Sequence, residues 1–493
     1  MKKILFLCSI WAMSLQLIAQ NSTFTPSAIN SPRLEYDAIL SLPNPTEGDL
    51  VYDLTFKCLR VFTGSRWICS YQDPLNFVPN SVLLASAGGN SYDAAQNIAV
   101  DASGDYYITG TFSGTTTFGA TSITSAGSID IFIAKYSGNG ILKWVKQAGG
   151  VSQDYGYSIA LDNAGNVFVT GYFTGNVNFG GINKTSVGGN DIFIAKYNSN
   201  GVEQWVQSAG GSSNDSAIDI CIDGAGDIVI AGVFGGDIFV SKYNNAGTLK
   251  WTQTAGGTGD DVAQGIAVDA SKNIYITGIY ANTATFGSLT PITSVGGYDI
   301  FIAKYDENGL IQWVRSAGGN ASGGDSGYGI AVDNANNVFV TGNYSGTANF
   351  STISKTSLSN SSDIFIAKYN SIGAVQWVQS AGGSSSDFGI NVAIDNTGNA
   401  YITGTYSGTA TFGTVSKSAM ILNEAFIAKY NNNGVFQWVQ SSVGSNSAIG
   451  YGIAVDNLRG IYTIGRYTGT ITFGGTSKTS VGSEDMFMLK TER

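Results

Sequence analysis

Apolar and polar positions alternate along most of this chain, and between Tyr155 and Gly211 the alternation falls into four short runs closed by Gly, Asn, Asp or Ser. Period-two runs of this kind predict half-buried strands. Residues 158–161 and 166–170 flank Asp162-Asn163-Ala164-Gly165, a turn that predicts a hairpin. Residues 191–197 predict a third strand and 203–207, with Trp205, a fourth. Asp191, Phe193, Ala195 and Tyr197 share one face of the third strand, and Ile192, Ile194 and Lys196 the other. Lys196 therefore needs a partner for its head group, and Asp162 is the nearest repeated carboxylate in register.

Most of the remaining chain is this stretch again. The Asp that ends the first strand recurs at Asp101, Asp162, Asp223, Asp269, Asp333, Asp395 and Asp456. The Gly that ends the second recurs at Gly110, Gly171, Gly232, Gly278, Gly342, Gly404 and Gly465. The third-strand Lys recurs at Lys135, Lys196, Lys242, Lys304, Lys368, Lys429 and Lys490, which makes seven copies, numbered here repeats one to seven. The fourth-strand Trp appears only at Trp144, Trp205, Trp251, Trp313, Trp377 and Trp438. After Lys490 no fourth strand follows, but Leu83-Leu84-Ala85-Ser86-Ala87-Gly88-Gly89 matches the Trp377 segment position for position. The expectation is an all-β fold: a seven-bladed β-propeller of four-stranded blades, closed by an N-terminal strand that completes the last blade. Six Trp, seven Lys and seven Asp in equivalent places argue that these residues serve the architecture, with Trp packing between blades.

The pattern Gly-Ile-Ala-Val-Asp with Tyr-Ile-Thr-Gly (265–278), Asp-Ile-Phe-Ile-Ala-Lys-Tyr (191–197) and Gln-Trp-Val-Gln-Ser-Ala-Gly-Gly (204–211) resembles the SBBP family of bacterial β-propeller repeats, over about residues 81–490. That resemblance implies the fold and secretion, and no shared activity.

Charged residues are 12% and hydrophobic ones 43%, which excludes a disordered chain. The net charge of −10 disfavours nucleic acid and anionic membranes as partners. Histidine is absent, which excludes Ser-His-Asp and Cys-His nucleophile systems and His-ligated zinc or iron.

Met1-Lys2-Lys3, an apolar run over 4–18 and Ala19 predict a secretory signal peptide, residues 1–19. With no appended sorting domain or anchor evident after Lys490, the expected destination is the periplasm or the medium, as a monomer. Residues 20–46 predict a flexible arm, and 47–73 a small β-hairpin module that resembles those near the N-termini of secreted fibre- and adhesin-like proteins. If Thr63-Gly64 is a two-residue turn, Cys58 faces Cys69, within disulfide range in an oxidising compartment. Two reduced cysteines in a small apolar cluster are the alternative. Residues 81–493 are assigned to the propeller.

A further acid series precedes the first strands at Asp93, Asp154, Asp215, Asp261, Asp325 and Asp387, with Ala448 as the exception. These loops are expected to surround the mouth of a central channel. Either each Asp caps its own loop, or the six ring the mouth as a calcium or polar-ligand site. Repeat three is also short: Gly232 and Asp237 are five residues apart, where Gly171 and Asp191 are 20 apart. The long connections carry Phe118, Phe179, Phe286, Phe412 and Phe473, so repeat three predicts a notch. Either the notch is a tolerated deletion in a surface connection, or Asp215, Asp219, Asp260 and Asp261 at its edge form a candidate ligand site, for a cation such as calcium bridging to sugar hydroxyls. No other cofactor is implied.

Three function classes compete. An exported, non-enzymatic binding or scaffold propeller engaging a protein or glycan at the channel mouth comes first. A carbohydrate-active enzyme (glycosidase or lyase) would need two carboxylates in distinct environments. Glu is scarce in the blades, and Glu203 and Glu307 fall on the face opposite the acid series. A purely structural envelope or matrix protein is the third.

Overall fold

The computed structural model describes residues 81–320, 324–457 and 460–492, preceded by 33–34, 39, 42, 45, 49–53, 58–62 and 67–71. The expected signal peptide and most of the expected arm lie outside the described residues. The chain divides into two compact bodies, Met1–Phe77 and Val78–Arg493. No helix among the described residues is long and apolar enough to cross a membrane.

In the first body, Leu50–Asp53 pairs in parallel with Arg33–Leu34 and antiparallel with Cys58–Phe62, which pairs in turn with Trp67–Tyr71. Phe62 stands opposite Trp67, so the connection holds four residues rather than two. This corrects the expected register: Cys69 stands opposite Arg60, and Cys58 lies beyond the paired stretch. The side chains of Cys58 and Cys69 lie outside the described residues.

The second body is all-β, with a lone 3-10 turn at Leu358–Asn360 among its described residues. Its building block is a four-stranded antiparallel meander. In repeat two this is Tyr155–Leu161, Val167–Phe173, Asp191–Tyr197 and Glu203–Ala209, paired in chain order. Asp162 closes the first hairpin by accepting the Ala164 and Asn166 N–H groups at 3.0 and 2.9 Å, while Gly165 supplies the left-handed φ of 77°. A bulge at Tyr157 throws one residue out of the innermost strand.

The meander recurs along the body, and each innermost strand packs against the next, with Val443–Val455 packed against Asp93–Val100. Apolar clusters fill the junctions. Tyr107, Ile131 and Ile133 of repeat one pack with Ile159, Val169 and Phe173 of repeat two, and Ile464 and Met488 with Ala95 and Ile98. Ser81–Gly89 pairs antiparallel with Asp485–Glu492, Lys490 opposite Leu83 as Lys196 is opposite Trp205.

The meanders are not separate sheets. In most repeats the second-to-third strand connection forms an extra hairpin, such as Asn176–Phe179 with Ile182–Thr185, that pairs with the glycines ending the preceding fourth strand. Repeat two's hairpin extends repeat one's meander into a six-stranded sheet, and the last repeats join into a fifteen-stranded one. Only repeat two's meander stands as a four-stranded sheet of its own, because repeat three has a Gly235-Gly236 turn in place of a hairpin.

Candidate binding face

The repeated Trp, Lys and Asp are spent on the architecture, within each repeat and between neighbours. Trp144, Trp205, Trp251, Trp313 and Trp377 each donate Nε1–H to a carbonyl in the third-to-fourth strand turn of the next repeat, at 3.1–3.2 Å. The glycine of that turn lies against the indole: a Cβ on Gly201 would meet Trp144 at 2.9 Å. Leu83 takes this place beside Gly140. Six of the seven third-strand lysines lie over second-strand rings at 4.6–5.2 Å, and Lys242 stands opposite Val229 instead. Direct pairing with the turn Asp occurs at Lys242–Asp223 (2.8 Å), Lys135–Asp101 and Lys368–Asp333 (both 3.9 Å). At Lys196 the link to Asp162 runs through Asn245 of the next repeat.

The loop acids clamp backbone. Asp154 accepts Gly150 N–H at 2.8 Å through one oxygen and Thr174 N–H at 2.9 Å through the other. Asp215 takes Gly211 and Gly235, Asp261 takes Gly257 and Ala281, Asp325 takes Gly319 and Ser345, and Asp387 takes Gly383 and Ser407, all at 2.7–3.0 Å. Asp93 takes Gly89 N–H and the Thr116 hydroxyl. Each carboxylate thus ties the end of one meander to the second-to-third strand connection of the next. Burial pushes Asp154 and Asp325 up to about 6 and Asp93 and Asp387 to about 7, with these hydrogen bonds pulling the other way.

A second acid series begins the third strands and went unread as a series in the sequence: Asp130, Asp191, Asp237, Asp299, Asp363, Glu424 and Asp485. Asp130, Asp299 and Asp485 accept a backbone N–H four residues earlier through Oδ2, while their Oδ1 atoms are buried without a partner. Burial raises Asp130 to about 6 and Asp299 to about 7, with the backbone hydrogen bond pulling the other way. Where Ala448 replaces the loop Asp, Glu424 compensates: its longer side chain reaches Gly444 N–H and the Ser442 hydroxyl. The paired departures, Ala for Asp and Glu for Asp, were the sequence signal.

Of the two readings of the loop acids, the side chains make the backbone cap and do not gather into a calcium ring. No three acids gather into a metal-holding group among the described residues, and the loop carboxylates already accept hydrogen bonds. The four notch acids are likewise dispersed. Asp215 and Asp261 are buried in their clamps, and Asp260 is exposed and accepts the Tyr298 hydroxyl at 3.2 Å. Asp219 turns toward its neighbours' innermost strands, accepting from Ser158 Oγ, Ile220 N and Ile266 N at 2.6–2.9 Å. Burial pushes it up to about 6. Asn97 donates to Ser158, so four innermost strands share one polar thread.

What the repeat does not account for is an aromatic cluster. Arg466, in Gly460–Phe473, lies 5.6 Å from the Tyr92 ring and 5.7 Å from the Tyr451 ring and pairs with Glu484 at 2.5 Å. Tyr155 stacks on Tyr172 at 5.0 Å and Tyr157 packs tilted against both at 5.7–5.9 Å, with Tyr92 and Arg466 near enough to act electrostatically on Tyr155. All these side chains are half-buried. Burial holds Tyr157 and Tyr451 at about 12, so both stay neutral phenols. The signal was a departure from the repeat: Arg466 fills a slot that is Thr111, Tyr172, Val233, Ile279, Asn343 and Thr405 elsewhere.

The family model for the SBBP β-propeller repeat matches residues 143–179, 312–347 and 376–405. An uncharacterized WD repeat-containing protein of Acanthamoeba polyphaga mimivirus is 28% identical over 141 residues, 25% of this chain and 10% of that protein. Among solved structures, Sqt1 from Chaetomium thermophilum aligns over 84% of this chain and 99% of its own at 9% identity and a TM-score of 0.43. YCF48 bound to D1 peptide aligns over 85% and 98% at 8% identity and 0.40. Puromycin hydrolase, as its S511A mutant, aligns over 79% and 53% at 9% identity and 0.37.

Proposed function

We propose that this β-propeller repeat protein is a closed, seven-bladed binding scaffold, exported to the periplasm or medium, that engages a protein or glycan at the mouth of its central channel without catalysing a reaction. Closure is supported by the pairing of Ser81–Gly89 with Asp485–Glu492, by Leu83 against Gly140, and by Lys490 donating to Gly138 O at 3.0 Å.

The observation that carries the binding reading is the Tyr92, Tyr155, Tyr157, Tyr172, Tyr451 and Arg466 cluster. It joins repeats seven, one and two on the side of the inter-repeat loops, and the blades do not need it, since the other junctions do without. Half-exposed neutral phenols beside a guanidinium suit the faces and hydroxyls of sugars or the aromatic and carboxylate groups of peptides. The glycosidase alternative is disfavoured because the loop and third-strand carboxylates come as near-equivalent pairs tied to backbone, with none of these pairs set apart among the described residues.

A glycan array and a pull-down from culture medium, run with the wild type and with Tyr155→Ala/Tyr172→Ala, test this. A ligand retained by the wild type and lost by the double variant is expected. Equal retention by both would remove the cluster from the reading, and hydrolysis of an arrayed glycan would restore the enzyme class.

A further inference from the structure

Six repeats cover the end of the preceding fourth strand with their own hairpin, and repeat three does not. In the covered repeats the hairpin Phe is buried and stacks on the third-strand Phe, as Phe179 does on Phe193 at 5.0 Å and Phe350 on Phe365 at 5.0 Å. A Cβ on the second glycine would strike the hairpin's carbonyl: Gly89, Gly150, Gly257, Gly319 and Gly383 would meet one at 1.9–2.1 Å. Against repeat three that space is empty. A Cβ on Gly211 meets only Asp215, at 3.8 Å, and those on Gly235 and Gly236 meet nothing within 4 Å. Phe234 is 40% exposed, where Phe112, Phe173, Tyr280 and Tyr344 in the same slot are 0%. Leu249 is 51% exposed, while its covered counterparts Leu142, Ile311 and Val375 are half-buried.

We infer that this strip, the free backbone edge at Ala209–Gly211 with Phe234 and Leu249 beside it, is a docking site for a β-hairpin of a partner protein carrying the sequence aliphatic-x-Phe. The occupant's chemistry is set by the six hairpins seated on the equivalent edges: Val177-Asn178-Phe179, Ala284-Thr285-Phe286, Ala348-Asn349-Phe350, Ala410-Thr411-Phe412 and Ile471-Thr472-Phe473, with Thr116-Thr117-Phe118 in the first repeat. Main-chain hydrogen bonds to the glycine edge supply pairing, and the phenyl group fills the gap over Phe239. Exposed Asp260 at the rim favours a basic residue in the return strand, where four of the hairpins carry Lys184, Lys355, Lys417 or Lys478. This surface is separate from the tyrosine cluster, and its test is independent of that reading.

The probe is a cyclised peptide with the sequence of residues 175–186, since an isolated two-stranded hairpin is marginal in water. Titration into the full chain is expected to show saturable one-to-one binding, at least tenfold weaker for the peptide with Phe179→Ala. Gly211→Ala should fold as the wild type and lose binding by tenfold or more, because its Cβ stands where the hairpin carbonyl would come. Grafting residues 174–190 in place of Gly235-Gly236 should abolish binding. Absence of saturable binding to the wild type, or equal binding by Gly211→Ala, would overturn the inference.

Discussion

Ala148-Gly149-Gly150 and Ala209-Gly210-Gly211 are the same tripeptide at the same place in successive repeats, yet one edge is covered by a hairpin and the other is bare. What stays constant across the pair belongs to the blade. Asp154 and Asp215 clamp their glycine N–H alike, and a Cβ on the first glycine would meet its own blade's third-strand carboxylate at 2.1 Å in both. What differs belongs to the hairpin: the second glycine is crowded at 2.1 Å in one and open in the other. The hairpin is therefore a separable plug laid on a blade that is complete without it.

The largest effect should come from removing a strand instead of a plug. Deleting residues 81–89 leaves Asp485–Glu492 with a bare edge and removes the apolar contact of Leu83 with Gly140. Aggregation, or loss of most of the roughly 5–15 kcal/mol that holds a domain folded, is expected in calorimetry. A truncated protein that melts like the intact one would break the view that this strand completes the last blade.

Next come the first glycines. Gly149→Ala and Gly210→Ala should each cost about 1–3 kcal/mol in denaturant melts, because each new methyl group is driven onto a buried carboxylate. The second glycines should split. Gly150→Ala is expected to cost about 1–3 kcal/mol, and Gly211→Ala to stay within about 0.5 kcal/mol. Equal costs at 150 and 211 would mean that the bare edge is packed by something other than a hairpin.

How far this was legible in the sequence follows the same division. Repeated residues could be read because a repeat exposes its own register: the strands about Asp162, the match of Leu83 to Trp377, and the gap after Gly232 needed only counting. Geometry that depends on what a side chain meets could not. The loop acids admitted a backbone cap and, less readily, a cation ring, and the positions of the Gly150 and Thr174 N–H groups show the clamp at Asp154. The extra hairpins were read as long connections, because the strand signal in a four-residue run such as Thr-Ala-Asn-Phe is too short to stand out from a loop. In the first body one misread turn length moved Cys69 from Cys58 to Arg60.

The smallest effect concerns pH, and it separates the clamps from the turn acids. Carboxyls raised above their unfolded values, Asp154 and Asp325 near 6 and Asp93 and Asp387 near 7, hold more protons in the folded state than unfolded. Their contribution is fully present below about pH 4 and is lost as pH rises through 6–7. The turn acids run the other way. Asp395 is drawn down to about 2, its burial outweighed by hydrogen bonds from Thr397 and Asn399, and Asp101 and Asp162 are lowered for the same kind of reason. Their contribution is present above about pH 4 and is lost as pH falls toward 2. The melting temperature should therefore peak in mildly acidic solution and decline by a few degrees toward pH 8. Asp154→Asn should flatten the decline between pH 5 and 8 while leaving the acid limb, and Asp395→Asn should flatten the acid limb alone. Melts across pH 2–8 would separate the two classes, and a decline unchanged by Asp154→Asn would show that the clamp carboxylates stay ionised in the fold.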